Sequence, residues 1–324
     1  MKKYDVIAIG ELLVDFTENG ISEQGNPLLE ANPGGAPCNV LSMLQNLGKK
    51  TAFIGKVGQD AFGRMLIEVV KEQGINTDNL LVDDAVPTTL AFVHTEKDGD
   101  RSFSFYRNPG ADMMLRWNDI HKELLGDTRI FHFGTLSMTD EQIAETTKKA
   151  VQEAKNADAL ISFDPNLRPL LWNDLEDAKR QIWYGISQCD ILKISDDEIT
   201  FLTGTNDIDA GVTKILERYR PALICATMGK HGSKAYYKGK SVFCAPFLRE
   251  DTIETTGAGD TFMACVLNAV LEKGIEALSD EDLMKMLKFA NAASSIITTR
   301  KGALKVMPQK QEIITVMKNR KRDD

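Results

Sequence analysis

The 324 residues predict an α/β protein, a three-layer α/β/α domain around a mainly parallel sheet with a small β-sheet lid. Three observations predict it. Strand-like and helical periodicities alternate from the N-terminus. Two extended, turn-rich stretches, 12–35 and 88–111, interrupt the alternation. It then resumes and closes on two long apolar helices. The division that follows is a core of 1–11, 36–87 and 112–324, with 12–35 and 88–111 as the lid.

"YDVIAIGELLVDF" opens in branched apolar residues, as a first strand does. "APCNVLSMLQNLG" sets Val40, Leu41, Leu44 and Leu47 at a helical period and stops at Gly48. "TAFIGKVG" reads as a strand, and "DAFGRMLIEVVKEQG" as a helix opened near Asp60 and closed by Gly74. Within 88–110 two alternating runs flank "KDGD", whose Asp-Gly step signals a hairpin. "RIFHFGTL" is a strand, and a helix is expected over 139–156, starting at Thr139 with Gln142 in capping-box register. "ALISFDPN" reads as a strand, 173–188 as a helix and "DILKIS" as a strand, with short helices near 196–203 and 208–219. "ALICATMGKHGSKAYYKGKSVFCAP" reads as strand, turn and hairpin. Helices near 258–272 and 280–299 follow, then a last one from 308 whose tail "KNRKRDD" is expected to fray.

Composition narrows the function classes. Hydrophobic residues at 43% and charged residues at 27% are those of a soluble globular chain, long enough to bury a core without staples. A net charge of −8 argues against a general nucleic-acid surface but leaves room for a local nucleotide site. Cys38, Cys189, Cys225, Cys244 and Cys265 form no C-x-x-C pair and read as reduced core thiols of a cytoplasmic protein. The apolar start carries Asp5, Glu11 and Asp15, so it reads as a strand rather than a secretory leader. No apolar run reaches the ~18 residues of a membrane span.

Several polar or glycine-rich clusters fall at strand ends, where ligands bind in parallel α/β sheets. "TTGAGD" (255–260) heads an apolar helix. It is either a loop with a cap or a phosphate site, because a helix start offers unpaired N–H groups and Gly257 and Gly259 admit close approach. No Walker A loop is present. Asp260 would repel an anion unless it has another task, such as taking the proton of an attacking hydroxyl. "TMGKHGS" (227–233), with Gly229 and Gly232, is a plain hairpin loop or a cradle for nucleotide phosphates. "GGAPCN" (34–39) is a cap, or lets a polyol approach the backbone with Asn39 and Asp15 bonding its hydroxyls. Glu198 in "SDDEI" is a solvated acid or an organiser of Mg²⁺ through water. His94, His121, His132 and His231 show no metal spacing.

"GGAPCN" and "TTGAGDTF" resemble the two signatures of the ribokinase-like (PfkB-type) sugar kinases. The resemblance covers essentially the whole chain, and "GKVGQDAFG", "FYRNPGAD", "SFDPNLRPLLW" and "KISDDEITFLTG" look most like its fructokinase branch. It implies an α/β/α domain with a lid and transfer of the ATP γ-phosphoryl group to the 6-hydroxyl of D-fructose. Carried over, Asp260 is the base, and Gly257, Ala258 and Gly259 form the anion hole, with Arg168 neutralising phosphate charge. Asp15, Gly34, Gly35, Asn39 and Arg107 hold the sugar. Lys193, Thr227, Gly229, Gly232 and Asn291 line the ATP site, and Glu198 organises Mg²⁺ through water. The family pattern has Asn where Ser195 stands and Asp where Glu254 stands. The second position, with Thr256, belongs to a K⁺ site whose use here is open. The other readings are a kinase of 2-keto-3-deoxygluconate, ribose or a nucleoside, and a silent sugar- or nucleotide-binding regulator. An NAD dehydrogenase fails because the first strand is not followed by G-x-G-x-x-G. Expected partners are a sugar, ATP and a second copy joined through the lids, without nucleic acid or membrane.

Overall fold

The computed structural model describes residues 2–95 and 101–323. The chain begins with β1 (Tyr4–Ile9), β2 (Leu13–Ile21), β3 (Pro27–Gly34), α1 (Ala36–Asn46), β4 (Thr51–Gly58), α2 (Ala61–Glu72) and β5 (Asn76–Asp83). It continues through β6 (Leu90–Thr95), β7 (Arg101–Tyr106), α3 (Lys122–Leu125), β8 (Thr128–Gly134), α4 (Glu141–Asn156), β9 (Leu160–Asp164) and α5 (Leu175–Gln188). Then follow β10 (Ile191–Ser195), α6 (Asp196–Thr203), α7 (Ile208–Arg218), β11 (Leu223–Thr227), β12 (Ser233–Tyr237) and β13 (Lys240–Cys244). Three helices close it: α8 (Ala258–Lys273), α9 (Asp280–Ile297) and α10 (Lys310–Asp323).

A nine-stranded sheet runs β13-β12-β11-β10-β9-β8-β1-β4-β5. It is parallel except at β12 and β13. Because a strand's side chains alternate between faces, β1 sends Val6 and Ala8 into one core and Ile7 and Ile9 into the other. The first core lies under α1, α2, α8 and α9, and the second under α4, α5, α6 and α7. This gives the three layers. A separate four-stranded sheet, β3-β2-β6-β7, pairs antiparallel at both outer steps and parallel between β2 and β6. Phe16 fastens it to the core, stacked on Phe92 at 4.9 Å and edge-on to Phe62 at 5.5 Å.

Local differences from the sequence reading have physical causes. The 139–156 helix starts two residues later, at Glu141. Asp140 is its cap, accepting from the Gln142 N–H at 3.0 Å. The Thr139 hydroxyl is already engaged, accepting from Arg107 and donating to the Leu136 carbonyl. Strand β5 went unanticipated because "NTDNLLVD" lacks a branched alternating run. The helical backbone of α10 continues to Asp323 rather than fraying after 317. "KDGD" (97–100) falls outside the described residues. The five cysteines are buried and form no disulfide among the described residues, as expected of core thiols. No helix among the described residues is long and apolar enough to cross a membrane.

Candidate active site

A cavity of about 490 Å³ opens between the small sheet and the core. Asp15 of β2 and Asn32 of β3 form one wall, and Asn39, Arg168, Glu254 and Asp260 face them from the core. It lies beyond the carboxyl ends of β1, β8 and β9, where a parallel sheet leaves a crevice.

The start of α8 forms the floor. Asp60, Asp140, Asp174, Ser195, Asp207 and Ser279 cap α2, α4, α5, α6, α7 and α9 with their side chains. By contrast α8 begins on Gly257, in the left-handed region at φ 76°, with no side-chain cap. The Ala258 N–H donates to the Thr255 carbonyl at 3.2 Å, and the N–H groups that follow it in the first turn, with the positive end of the dipole, face a ligand without a side-chain cap. A Cβ on Gly257 would come within 2.7 Å of the Ala303 Cβ, so only glycine fits. A Cβ on Gly259 would stand 3.0 Å from the Lys193 Nζ, which places that ammonium against the same turn. Lys193 is itself buried and paired with Asp164 at 3.1 Å. Burial alone would lower its pKa, but Asp164, Glu198 and Asp260 outweigh burial and hold the ammonium charged. Helix N–H groups beside one fixed cation are the chemistry that an anion would require.

Asp260 sits in the first turn of α8, 8% exposed. Burial raises its pKa, while a hydrogen bond from Asn39 and the charges of Lys193 and Arg168 pull it down. The Asn39 Nδ2 donates to the Asp260 Oδ2 at 2.8 Å. A buried carboxyl with a raised pKa, one oxygen of which is fixed by a donor, suits a proton acceptor. The Asn39 Oδ1 is buried without a partner, an acceptor left for whatever fills the cavity.

Across the cavity, Asp15 is brought in by the absence of a side chain at Gly34. A Cβ there would meet the Asp15 Oδ2 at 2.2 Å. Burial pushes Asp15 up to about 7, with Arg168 opposing and Glu254 and Asp260 adding to the shift. Glu11, unmarked by the sequence reading, also lines the cavity. Its Oε1 accepts from the Ala36 N–H at 2.8 Å and so caps α1 from outside. Gly35, at φ 125°, lets the backbone pass: a Cβ would meet the Glu11 carbonyl oxygen at 2.4 Å. Burial pushes Glu11 up to about 7.

The sequence pattern of the pfkB family carbohydrate kinases matches residues 3–310. The chain belongs to that family. It is therefore a phosphotransferase acting on a sugar hydroxyl. This kinase is 39% identical over 316 residues to probable fructokinase-2 of Arabidopsis thaliana, spanning 97% of this chain and 95% of the relative. Its fold matches the fructokinase with bound ATP from Xylella fastidiosa with a TM-score of 0.89 and 31% identity, over 98% of this chain and 99% of that one. A Vibrio cholerae O395 fructokinase bound to fructose, ADP and potassium ion matches with a TM-score of 0.87 and 25% identity, again over 98% and 99%.

The remaining sites of the kinase are built unequally. Arg168 lines the cavity at its rim, held by the Asn166 Oδ1 at 2.8 Å. Arg107 is not among the cavity-lining residues. Its guanidinium is buried against Asp112, Thr139 and the Leu136 carbonyl, so it braces the 136–139 turn rather than reaching into the site. The Glu198 carboxylate accepts from the Leu167 N–H at 2.9 Å and the Ser195 N–H at 2.8 Å, tying the 165–172 loop to α6. Ser195 completes that capping box, so the residue that departs from the family pattern keeps the cap. Thr227, at the end of β11, pairs in register with Ser195. Gly229, at φ 50°, and Gly232, at φ 98°, shape the turn after it. Asn291 accepts from the Ser233 Oγ at 2.9 Å and donates to the Cys244 and Ala245 carbonyls at 3.2 Å, pinning that turn and the exit of β13 to α9. Glu254 is buried and accepts from the Gly302 N–H at 2.9 Å, while Thr256 lies on the cavity wall.

Proposed function

We propose that this chain transfers the γ-phosphoryl group of ATP to the 6-hydroxyl of D-fructose, giving fructose 6-phosphate and ADP. The observation that carries the reading is the buried, pKa-raised Asp260 in the first turn of an uncapped glycine-led helix, opposite Asp15. The family and the fructokinase relatives support the substrate pair. The hydroxyl proton passes to the Asp260 carboxylate as the hydroxyl oxygen attacks the γ-phosphorus. The bond to the ADP oxygen then breaks, and charge on the transferring group rests on the α8 N–H groups and Lys193. Asn39 aims the base, and Asp15 accepts sugar hydroxyls.

Segments 12–35 and 88–111 act as a lid that excludes water from the transfer. Glu198 would hold the water shell of a nucleotide-borne Mg²⁺, which would neutralise phosphate charge. Thr227, Gly229 and Gly232 cradle the nucleotide, while Glu254 and Thr256 border a K⁺ position. Ile21, Leu28, Leu29 and Tyr106 leave apolar surface exposed on the small sheet, and we assign that surface to a homodimer contact. Five buried cysteines without a disulfide among the described residues suit the reducing cytoplasm.

ADP release with Mg-ATP against fructose, ribose, 2-keto-3-deoxygluconate, glucose and adenosine tests the assignment. Fructose is expected to give the highest kcat/KM. A preference for another acceptor overturns the fructose assignment, and activity on none overturns the kinase reading.

A further inference from the structure

A second cavity of about 450 Å³ lies between α8, α9 and α10 and shares no lining residue with the kinase cavity. Its volume is that of a small-molecule site. The interior is apolar, with Ala269, Leu278, Met286, Phe289, Ile314 and Met317 on its walls. One polar side chain is set into it. Asn268 is 8% exposed, and its Oδ1 is buried with no hydrogen-bond partner. Leaving such a group unsatisfied destabilises the fold.

The charges at the mouth do not balance. Both acids of the wall are engaged, Glu272 with Lys49 at 3.3 Å and Asp282 with Lys273 at 3.2 Å. Lys285 is paired with Glu281, one turn away on α9. Lys310 and Lys318 also line the mouth, and neither forms an ion pair among the described residues. Two cations with no ion pair among the described residues thus stand over an apolar chamber that holds one orphan carboxamide.

We propose that this cavity binds a small amphipathic carboxylate, an apolar ring body carrying one N–H or O–H donor. The carboxylate meets Lys310 and Lys318, the body packs against Phe289 and Met317, and the donor satisfies Asn268. The site is on a different wall from the phosphoryl-transfer residues, so its failure leaves the kinase reading untouched.

The probe is indole-3-propionate, which has all three features, titrated calorimetrically into the full chain. One-to-one saturable binding is expected. The neutral indole-3-propionamide should bind at least tenfold more weakly, as should the acid to the Lys310→Ala, Lys318→Ala double variant. Ala269→Trp, which fills the chamber, should abolish binding while retaining sugar-kinase turnover, the control for folding. The proposal is overturned by no heat of binding at millimolar acid, by equal affinity for acid and amide, or by undiminished binding to Ala269→Trp. It is equally overturned if sedimentation shows a second copy covering the groove and excluding the probe.

Discussion

At the scale of single residues, the site depends on a few atoms whose positions are set by what is missing beside them. Asp260→Asn should keep the fold and ATP affinity and lower kcat by roughly 10²–10⁴-fold, read as ADP release beside a calorimetric titration with ATP. Wild-type turnover in that variant would remove Asp260 as the base. The Asn39 hydrogen bond holds the Asp260 pKa down. Asn39→Ala should therefore move the acid limb of the kcat–pH profile upward, and a limb that stays put would deny Asn39 its aiming role. Gly34→Ala drives a methyl into the Asp15 carboxylate, so the fructose KM should rise about tenfold or more with the ATP KM unchanged. The residue types at these positions were readable in "GGAPCN" and "TTGAGD". The Asn39–Asp260 bond was not, because its partners lie 221 positions apart. Glu11 escaped notice for a related reason: it caps a helix from across a chain reversal, which leaves no local spacing to read.

At the scale of elements, periodicity marked the longer helices because most present an apolar face to the core, though it did not mark the four-residue α3, and apolar alternation marked most strands. It missed β5, an edge strand with a polar start, and misplaced the start of α4, where a tertiary contact from Arg107 occupies the Thr139 hydroxyl. Arg107 was expected at the sugar from the family resemblance. Its place in the lid was legible, but the buried Asp112 that turns its side chain inward was not. The start of α8 is the element with the least freedom. Gly257→Val would add a side chain at positive φ against Ala303, costing about 1–3 kcal/mol of strain. The melting temperature should drop by several degrees and turnover should fall with it. A variant with unchanged melting and turnover would show that the anion site does not need this backbone.

At the scale of the whole molecule, two properties follow from how the small sheet meets the core. Glu11 and Asp15 are each pushed up to about 7, above the ~4 of an unfolded carboxyl. Between those values the folded state holds protons that the unfolded chain has lost, so these two groups make the protein less stable as pH rises from about 4 to 7. Glu11→Gln and Asp15→Asn should flatten the decline of melting temperature across that window, and an identical slope in variant and wild type would refute it. The proposed dimer contact predicts that Leu29→Asp shifts sedimentation toward monomer at concentrations where the parent chain is dimeric. An unshifted boundary would place the contact elsewhere. The layered architecture was legible in the alternation of elements. What a single chain could not reveal was which ends of those elements face one another, since that depends on sheet order, with β1 lying between β8 and β4.

The same long-range bond has a consequence in time. A ribosome delivers α1 early and α8 late, and N-terminal segments begin to fold during synthesis. Until the last third emerges, Asn39 has no Asp260. The Ser42 hydroxyl likewise waits for the Leu304 carbonyl, and the Asn46 amide for that of Met307. A nascent chain that has completed most of its parallel sheet is therefore still inert, with one face of α1 uncovered. Catalytic competence arrives only as the C-terminal segment closes over that face, so a chain truncated before that segment yields a polypeptide that spends no ATP.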